Sequence, residues 1–147
     1  MRYLALDVGD ARIGVALSDE TATIATGLPT LERVGPRKDL KAITRLVRES
    51  GAGEVVVGLP RRLDGELGAQ AQKVLAFMEA LRGSVTVPVV AWDERFTTAL
   101  AQQALIEADV KRSERKGAVD KVAAILILQN YLDYRKLADA EARAPAP

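Results

Sequence analysis

The sequence predicts an α/β fold: a mixed five-stranded sheet that opens with an antiparallel hairpin, continues in parallel strand–helix–strand units, and carries helices on both faces. Three observations predict it. The segment YLALDVGDARIGVALSD, Tyr3 to Asp19, contains two alternating apolar runs joined by a short polar turn. GEVVVGLP is a short, wholly apolar run of the kind found in strands covered on both sides. Around such runs, apolar residues recur at helical spacing, and strand–helix–strand order requires parallel crossovers.

Leu4, Leu6 and Val8 alternate with Tyr3, Ala5 and Asp7, so a first strand ends near Val8. Gly9-Asp10-Ala11 supplies the turn, and Ile13, Val15 and Leu17 begin the second strand. A third, weaker strand covers Gly27 to Glu32 and leads into the loop Val34-Gly35-Pro36. From Arg37 to Ser50 the apolar positions Leu40, Ile43, Leu46 and Val47 predict a helix, which Gly51 stops. Glu54 to Leu59 form the buried strand, and the loop PRRLDGELG leads to a second helix on Ala71, Val74, Leu75, Met78 and Leu81. VTVPVVAWDE reads as another buried strand with Pro88 at its start or on a ladder-free side. Thr97 or Thr98 caps a third helix on Leu100, Ala101, Ala104 and Leu105. The charged loop KRSERKG precedes the last helix, AVDKVAAILILQNYLDYRKL. Residues 1–137 make one domain, and 138–147 read as a flexible tail without apolar periodicity.

Composition excludes much chemistry. The chain has no cysteine, so disulfides, thiolate metal sites and cysteine nucleophiles are absent. It has no histidine, which removes the usual neutral-pH general base and any Ser-His-Asp triad. Chemistry falls to carboxylates, Lys, Arg, Ser, Thr or Tyr, with a hard, oxygen-binding metal as the natural helper. The absence of a signal pattern and of a long apolar run predicts a cytoplasmic protein without membrane partners. Net charge is only +1, so nucleic-acid binding would have to rest on local clusters.

In this fold a ligand site lies beyond the carboxyl ends of the parallel strands. Asp7 ends the first strand, Asp93 and Glu94 end the last, and Asp120 lies in the first turn of the final helix. Carboxylates sharing a poorly hydrated volume cannot all stay ionised unless a cation joins them. Mg²⁺ or Mn²⁺ suits an all-oxygen donor set. One or two such ions, a pair about 4 Å apart, are the apparatus of phosphodiester hydrolysis. Each residue also has a plainer reading. Asp7 suits a turn, Asp120 a helix dipole, and Glu94 beside Arg95 a surface pair. Trp92 fits a core position. It is the joint placement that favours a site. Strand alternation puts Asp93 and Glu94 on opposite sides without deciding which faces the metal.

Basic residues flank these acids. Lys111, Arg112, Arg115, Lys116 and Lys121 stand against Glu114 and Asp120 in one segment. Arg61 and Arg62 follow GLP, while Arg12 and Arg95 adjoin the carboxylates in sequence. Such cations suit a phosphate backbone carried past a metal. With aromatics at 4 %, extensive base stacking is not expected.

LDVGDARIGVALSD, VVVGLPRRLDG, DERFTT and KGAVDKVAAILILQNYL, in this order, resemble the YqgF (RuvX) family from Tyr3 to Tyr131. The resemblance implies a ribonuclease H-like fold related to RuvC Holliday-junction resolvases. It also implies a metal-dependent endonuclease that either resolves junctions or processes the small-subunit ribosomal RNA precursor. Asp7, Glu94 and Asp120 fall on the family's catalytic acidic positions, and Gly9, Arg12 and Gly14 match the first motif's turn. One departure stands out: relatives commonly read Leu-Asn-hydrophobic-Asp-Gly after GLP, whereas this chain reads Arg61-Arg62-Leu63-Asp64-Gly65. Two other readings stand beside the nuclease: a nucleotide-binding phosphotransferase-like domain, and a non-catalytic RNA- or ribosome-binding module. RNA and branched DNA remain alternative substrates, and monomer and homodimer alternative assemblies.

Overall fold

The computed structural model describes residues 1–60, 67–94 and 115–143, with the backbone alone over 115–120 and at 143. Strands β1 (Arg2–Val8), β2 (Arg12–Ser18) and β3 (Ala25–Glu32) are followed by helix α1 (Pro36–Ser50) and β4 (Ala52–Leu59). Then come α2 (Ala69–Arg82), β5 (Val89–Asp93) and the long helix α3 (Arg115–Arg143). The sheet order is β3-β2-β1-β4-β5. β2 runs antiparallel to both β1 and β3, whereas β4 is parallel to β1 and to β5. This is the mixed five-stranded sheet that the sequence predicts.

Alternation along the strands builds two cores. Leu4, Leu6 and Val8 of β1, with Val55 and Val57 of β4, pack against Ile43 and Val47 of α1 and Val74, Met78 and Leu81 of α2. Tyr3 and Ala5 of β1, with Ala16 and Val56, face the other way onto Ala124, Ile127, Leu128 and Tyr131 of α3. Helices therefore cover both faces, and Asp7 shares the α3 side with Tyr3 and Ala5.

Contacts along α3 fix its direction. Tyr131 reaches the beginnings of β1 and β4, stacking edge-on to Tyr3 and donating its hydroxyl to Glu54 Oε2 at 2.6 Å. Ile127, one turn earlier, lies over Gly58 near the end of β4. The helix thus runs against β1 and β4, and its first turns reach the rim where those strands end. Gln129 fastens it to β3, accepting from Ala25 N–H (3.0 Å) and donating to Thr23 O (2.9 Å).

Several expectations are corrected. β5 is not buried on both sides: it borders the sheet among the described residues, with Val89 buried and Ala91 exposed. Pro88 sits just before it, where a missing N–H costs the ladder nothing, and its carbonyl accepts from Val55 N–H at 2.9 Å. α3 begins at Arg115, so the end of KRSERKG is helical rather than loop, and it continues six residues past Leu137 into the expected tail. β3 starts at Ala25 and β4 at Ala52, two residues earlier than alternation suggests, because neighbouring strands supply ladder partners there. The helix expected on Leu100 to Leu105 lies outside the described residues. Among the described residues, no helix is long and apolar enough to cross a membrane.

Glu54 is buried under α3, and the Tyr131 hydroxyl is its hydrogen-bond donor. Burial, and then the Glu54 carboxylate, push the Tyr131 phenol up to about 12. Tyr131→Phe strands that carboxylate and should cost about 1–3 kcal/mol, measured by urea unfolding at neutral pH.

Candidate active site

The site begins with a turn that is held rigidly. Gly9 N–H donates to Arg12 O at 2.9 Å, and a Cβ at Gly9 would lie only 2.9 Å from that same oxygen. Only glycine fits so close an approach. Arg33 spans the turn from outside: its guanidinium donates to Gly9 O (3.0 Å) and its N–H to Ala11 O (2.9 Å). Asp39, buried in the first turn of α1, accepts from Arg33 Nε and Val34 N–H, both at 3.0 Å. Burial alone would raise the Asp39 pKa, but the Val34 N–H and the Arg33 guanidinium outweigh it and hold the carboxyl below its ordinary value. From α2, Gln70 donates to Val8 O at 3.3 Å. Sequence reasoning missed Arg33 and Asp39, because nothing in the local pattern ties residue 33 to residue 9.

Asp7 sits on β1 between two glycines. Its antiparallel partner is Gly14, and the parallel register Leu6↔Val57 brings Gly58 next to it on β4. Glu94 follows β5. Its strand neighbour Trp92 packs on the α3 side, whereas Asp93 pairs with Leu59, whose side chain belongs to the opposite core. Glu94 therefore shares the Asp7 face, and Asp93 does not. A Cβ at Gly58 would lie 2.7 Å from Glu94 Oε1 and 2.5 Å from Ile127 Cδ1. The bare glycine lets Glu94 lie across β4 and hydrogen-bond Asp7. Burial first, then the Asp7 charge and that hydrogen bond, with a smaller push from Asp93, raise Glu94 to about 8. The two carboxyl groups therefore favour sharing a proton rather than ionising together.

The structure thus brings together Asp7 and Glu94. Asp93 acts on Glu94 through its charge, and its pairing with Leu59 puts it on the other face of the strand, one of the two alternatives that alternation leaves open. Among the described residues, no group of three acids is gathered closely enough to hold a metal. Asp120 is the sixth residue of α3, in its second turn rather than the first, where a helix dipole has largely faded. Position 120 shares a helix stripe with Ala124 and Ile127, toward the rim where Asp7 lies. Its side chain, with those of Arg115 and Lys116, lies outside the described residues, as do Arg61, Arg62, Arg95, Lys111 and Arg112.

Two expected phosphate-binding cations are visible. The Lys121 methylenes pack over Gly27 of β3, two strands and about 10 Å across the sheet from Asp7. Arg12 pairs with Glu32 at 3.1 Å across β2 and β3. That pair is largely exposed and contributes little to stability.

An oxygen-ligated divalent ion fits this chemistry. Two carboxylates are pressed together with a single negative charge between them, and a cation would let both ionise. Gly58→Ala should push Glu94 and Ile127 aside and cost about 1–3 kcal/mol in urea unfolding. Glu94 also predicts a pH dependence in EDTA. Its folded pKa is raised, so its contribution to stability is complete below about 4.5 and is lost as pH rises through 8. The Tm of the metal-free protein should therefore drop by about 5 °C or more between pH 5 and 9. Glu94→Gln should flatten that slope, and an unchanged slope would remove Glu94 as its source.

Comparison with known proteins agrees with the fold. The sequence model of the RuvX family, described as Holliday junction resolvase, matches residues 1–134. A protein of Thermoanaerobacter pseudethanolicus named "Putative pre-16S rRNA nuclease" is 50 % identical over 137 residues, 92 % of this chain and 99 % of that one. A protein of the same name from Desulforudis audaxviator is 51 % identical over 136 residues, 92 % and 96 % of the two chains. Among solved structures, Thermus thermophilus RuvC in complex with a Holliday junction substrate superposes with a TM-score of 0.59 at 17 % identity. The match spans 93 % of this chain and 96 % of that one. The fowlpox virus Holliday junction resolvase gives 0.54 at 13 % identity over 91 % and 99 %. Those two likenesses establish the ribonuclease H-like fold, and the match of the family model over nearly the whole chain establishes that this protein belongs to the RuvX family.

Proposed function

We propose that this chain is a divalent-metal-dependent nuclease that hydrolyses phosphodiester bonds in structured nucleic acid, with ribosomal RNA precursor as its substrate. The observation that carries the reading is the Asp7–Glu94 pair, crowded at the strand rim over a bare glycine. The names borne by relatives at half identity over their full length favour the RNA precursor. The name of the family model favours the second reading, a branched DNA junction.

Asp7 is the central ligand in this proposal, because the sheet fixes its backbone on both sides and the Arg33–Asp39 clamp fixes the turn after it. Glu94, once deprotonated, would be the second ligand, and Asp120 of α3 would complete the set. When bound, Mg²⁺ or Mn²⁺ supplies Lewis acidity that lowers the pKa of water and offsets charge on the leaving oxygen. Lys116, Lys121, Arg61 and Arg62 position phosphates as point charges or forks. No histidine base and no protein nucleophile is required.

Asp7→Asn keeps the shape and removes the charge. It should fold normally, lose cleavage of precursor RNA by more than about 10²-fold, and fail to show the rise in Tm expected when Mn²⁺ is added to the wild type. Cleavage at the wild-type rate by this variant would refute the assignment. Parallel assays on a four-way DNA junction separate the two substrates.

A further inference from the structure

α1 lies on the face opposite the carboxylate pair, and its outer stripe is basic. Arg37, Lys41, Thr44 and Arg48 fall at i, i+4, i+7 and i+11, and the three cations are exposed. None of the three has an ion-pair partner among the described residues. The helix's own acids are engaged elsewhere: Asp39 is held by Arg33, and Glu49 by Arg45 at 2.7 Å. The same stripe lines a groove of about 630 Å³ between α1 and Ser84, and Arg48 is also part of two adjoining hollows of about 390 and 680 Å³. The last of these is lined by Arg2, whose Nε is buried without a hydrogen-bond partner among the described residues, and by one further acid, Glu20.

The direction of this track matters. α1 starts beside the clamp on Gly9, at the rim where Asp7 lies, and ends next to Gly51 at the opposite rim. From Arg37 to Arg48 is about 16 Å, the axial rise of about five nucleotides of one strand. A row of free cations on a rigid helix, leading away from the proposed cutting rim, is complementary to a polyphosphate backbone.

We propose that Arg37, Lys41 and Arg48 form a backbone track that holds a single strand of nucleic acid flanking the site of cleavage, with Arg2 at its far end. The track rests on the nuclease reading for its purpose, but its binding is measurable without cleavage. Its chemistry is phosphate contact, so RNA and DNA strands both qualify and the test carries an arm for each.

The test is fluorescence anisotropy of labelled 24-nucleotide RNA and DNA strands in EDTA, from 50 to 200 mM KCl. Arg37→Gln/Lys41→Gln/Arg48→Gln should bind at least about tenfold more weakly at 50 mM. Its slope of log K against log salt should be shallower by about 2, from three lost contacts on a single strand. Arg37→Lys/Arg48→Lys should keep the wild-type slope. Cleavage of a substrate too short to leave the rim should be unchanged in the triple variant. Binding in EDTA is read without cleavage, so failure of the nuclease reading leaves the track standing. A loss in either arm supports the track and identifies its strand. Wild-type affinity and slope in both arms would overturn it, and so would equal loss in the Lys variant, which would mark damage to packing rather than loss of charge.

Discussion

Everything distinctive in this molecule follows from holding two carboxyl groups against each other at the rim of a buried sheet. Asp7 is placed by β1, the central strand, and Glu94 by the end of β5, with only β4 between them. Burial and mutual repulsion make one of the two keep its proton. The fold accepts that cost by clearing space: Gly14 and Gly58 flank Asp7, and any side chain at Gly58 would collide with Glu94. In the proposed function, a cation would take the place of that proton.

Placing such a pair requires rigidity around it. The turn after Asp7 is fixed from three directions, by the ladder to β2, by the guanidinium of Arg33, and by Gln70 from α2. Arg33 in turn is held by Asp39 and lies over the Phe77 ring, so strand, turn and both helices of one face share a single polar anchor. Toward the opposite rim the Glu54–Tyr131 bond and the Tyr3–Tyr131 ring contact fix α3 to the other face, and Trp92, level with Gly58 on β5, packs on Tyr131 from the carboxylate side. The helix is also held close to the carboxylates, where Ile127 Cδ1 and Glu94 both lie over Gly58.

The charge distribution follows the same division. A net charge of +1 conceals an acidic pair at the rim and basic elements around it, on α1 and toward the start of α3. In the proposed reading, the acids would set the chemistry at the rim and the exposed cations would attract a polyanion. Bulk charge carries none of this, because attraction to a phosphate backbone depends on local spacing and pairing.

Alternation alone located β1 and β2, and each residue's side of the sheet then follows from its parity. Helical spacing located α1 and α2 because each buries one apolar stripe, and the missing histidine and cysteine restricted the chemistry to oxygen ligands. Parity also showed that Asp93 and Glu94 must diverge. Which of them turns toward Asp7 was settled only by register: Leu59 opposite Asp93 belongs to the α1–α2 core, so Glu94 takes the other side. The exposed side of β5, the early start of α3 and the clamp from Arg33 to Gly9 were equally beyond local pattern. Each depends on a partner distant in the chain, since local sequence fixes the direction of a side chain and only packing decides what it meets.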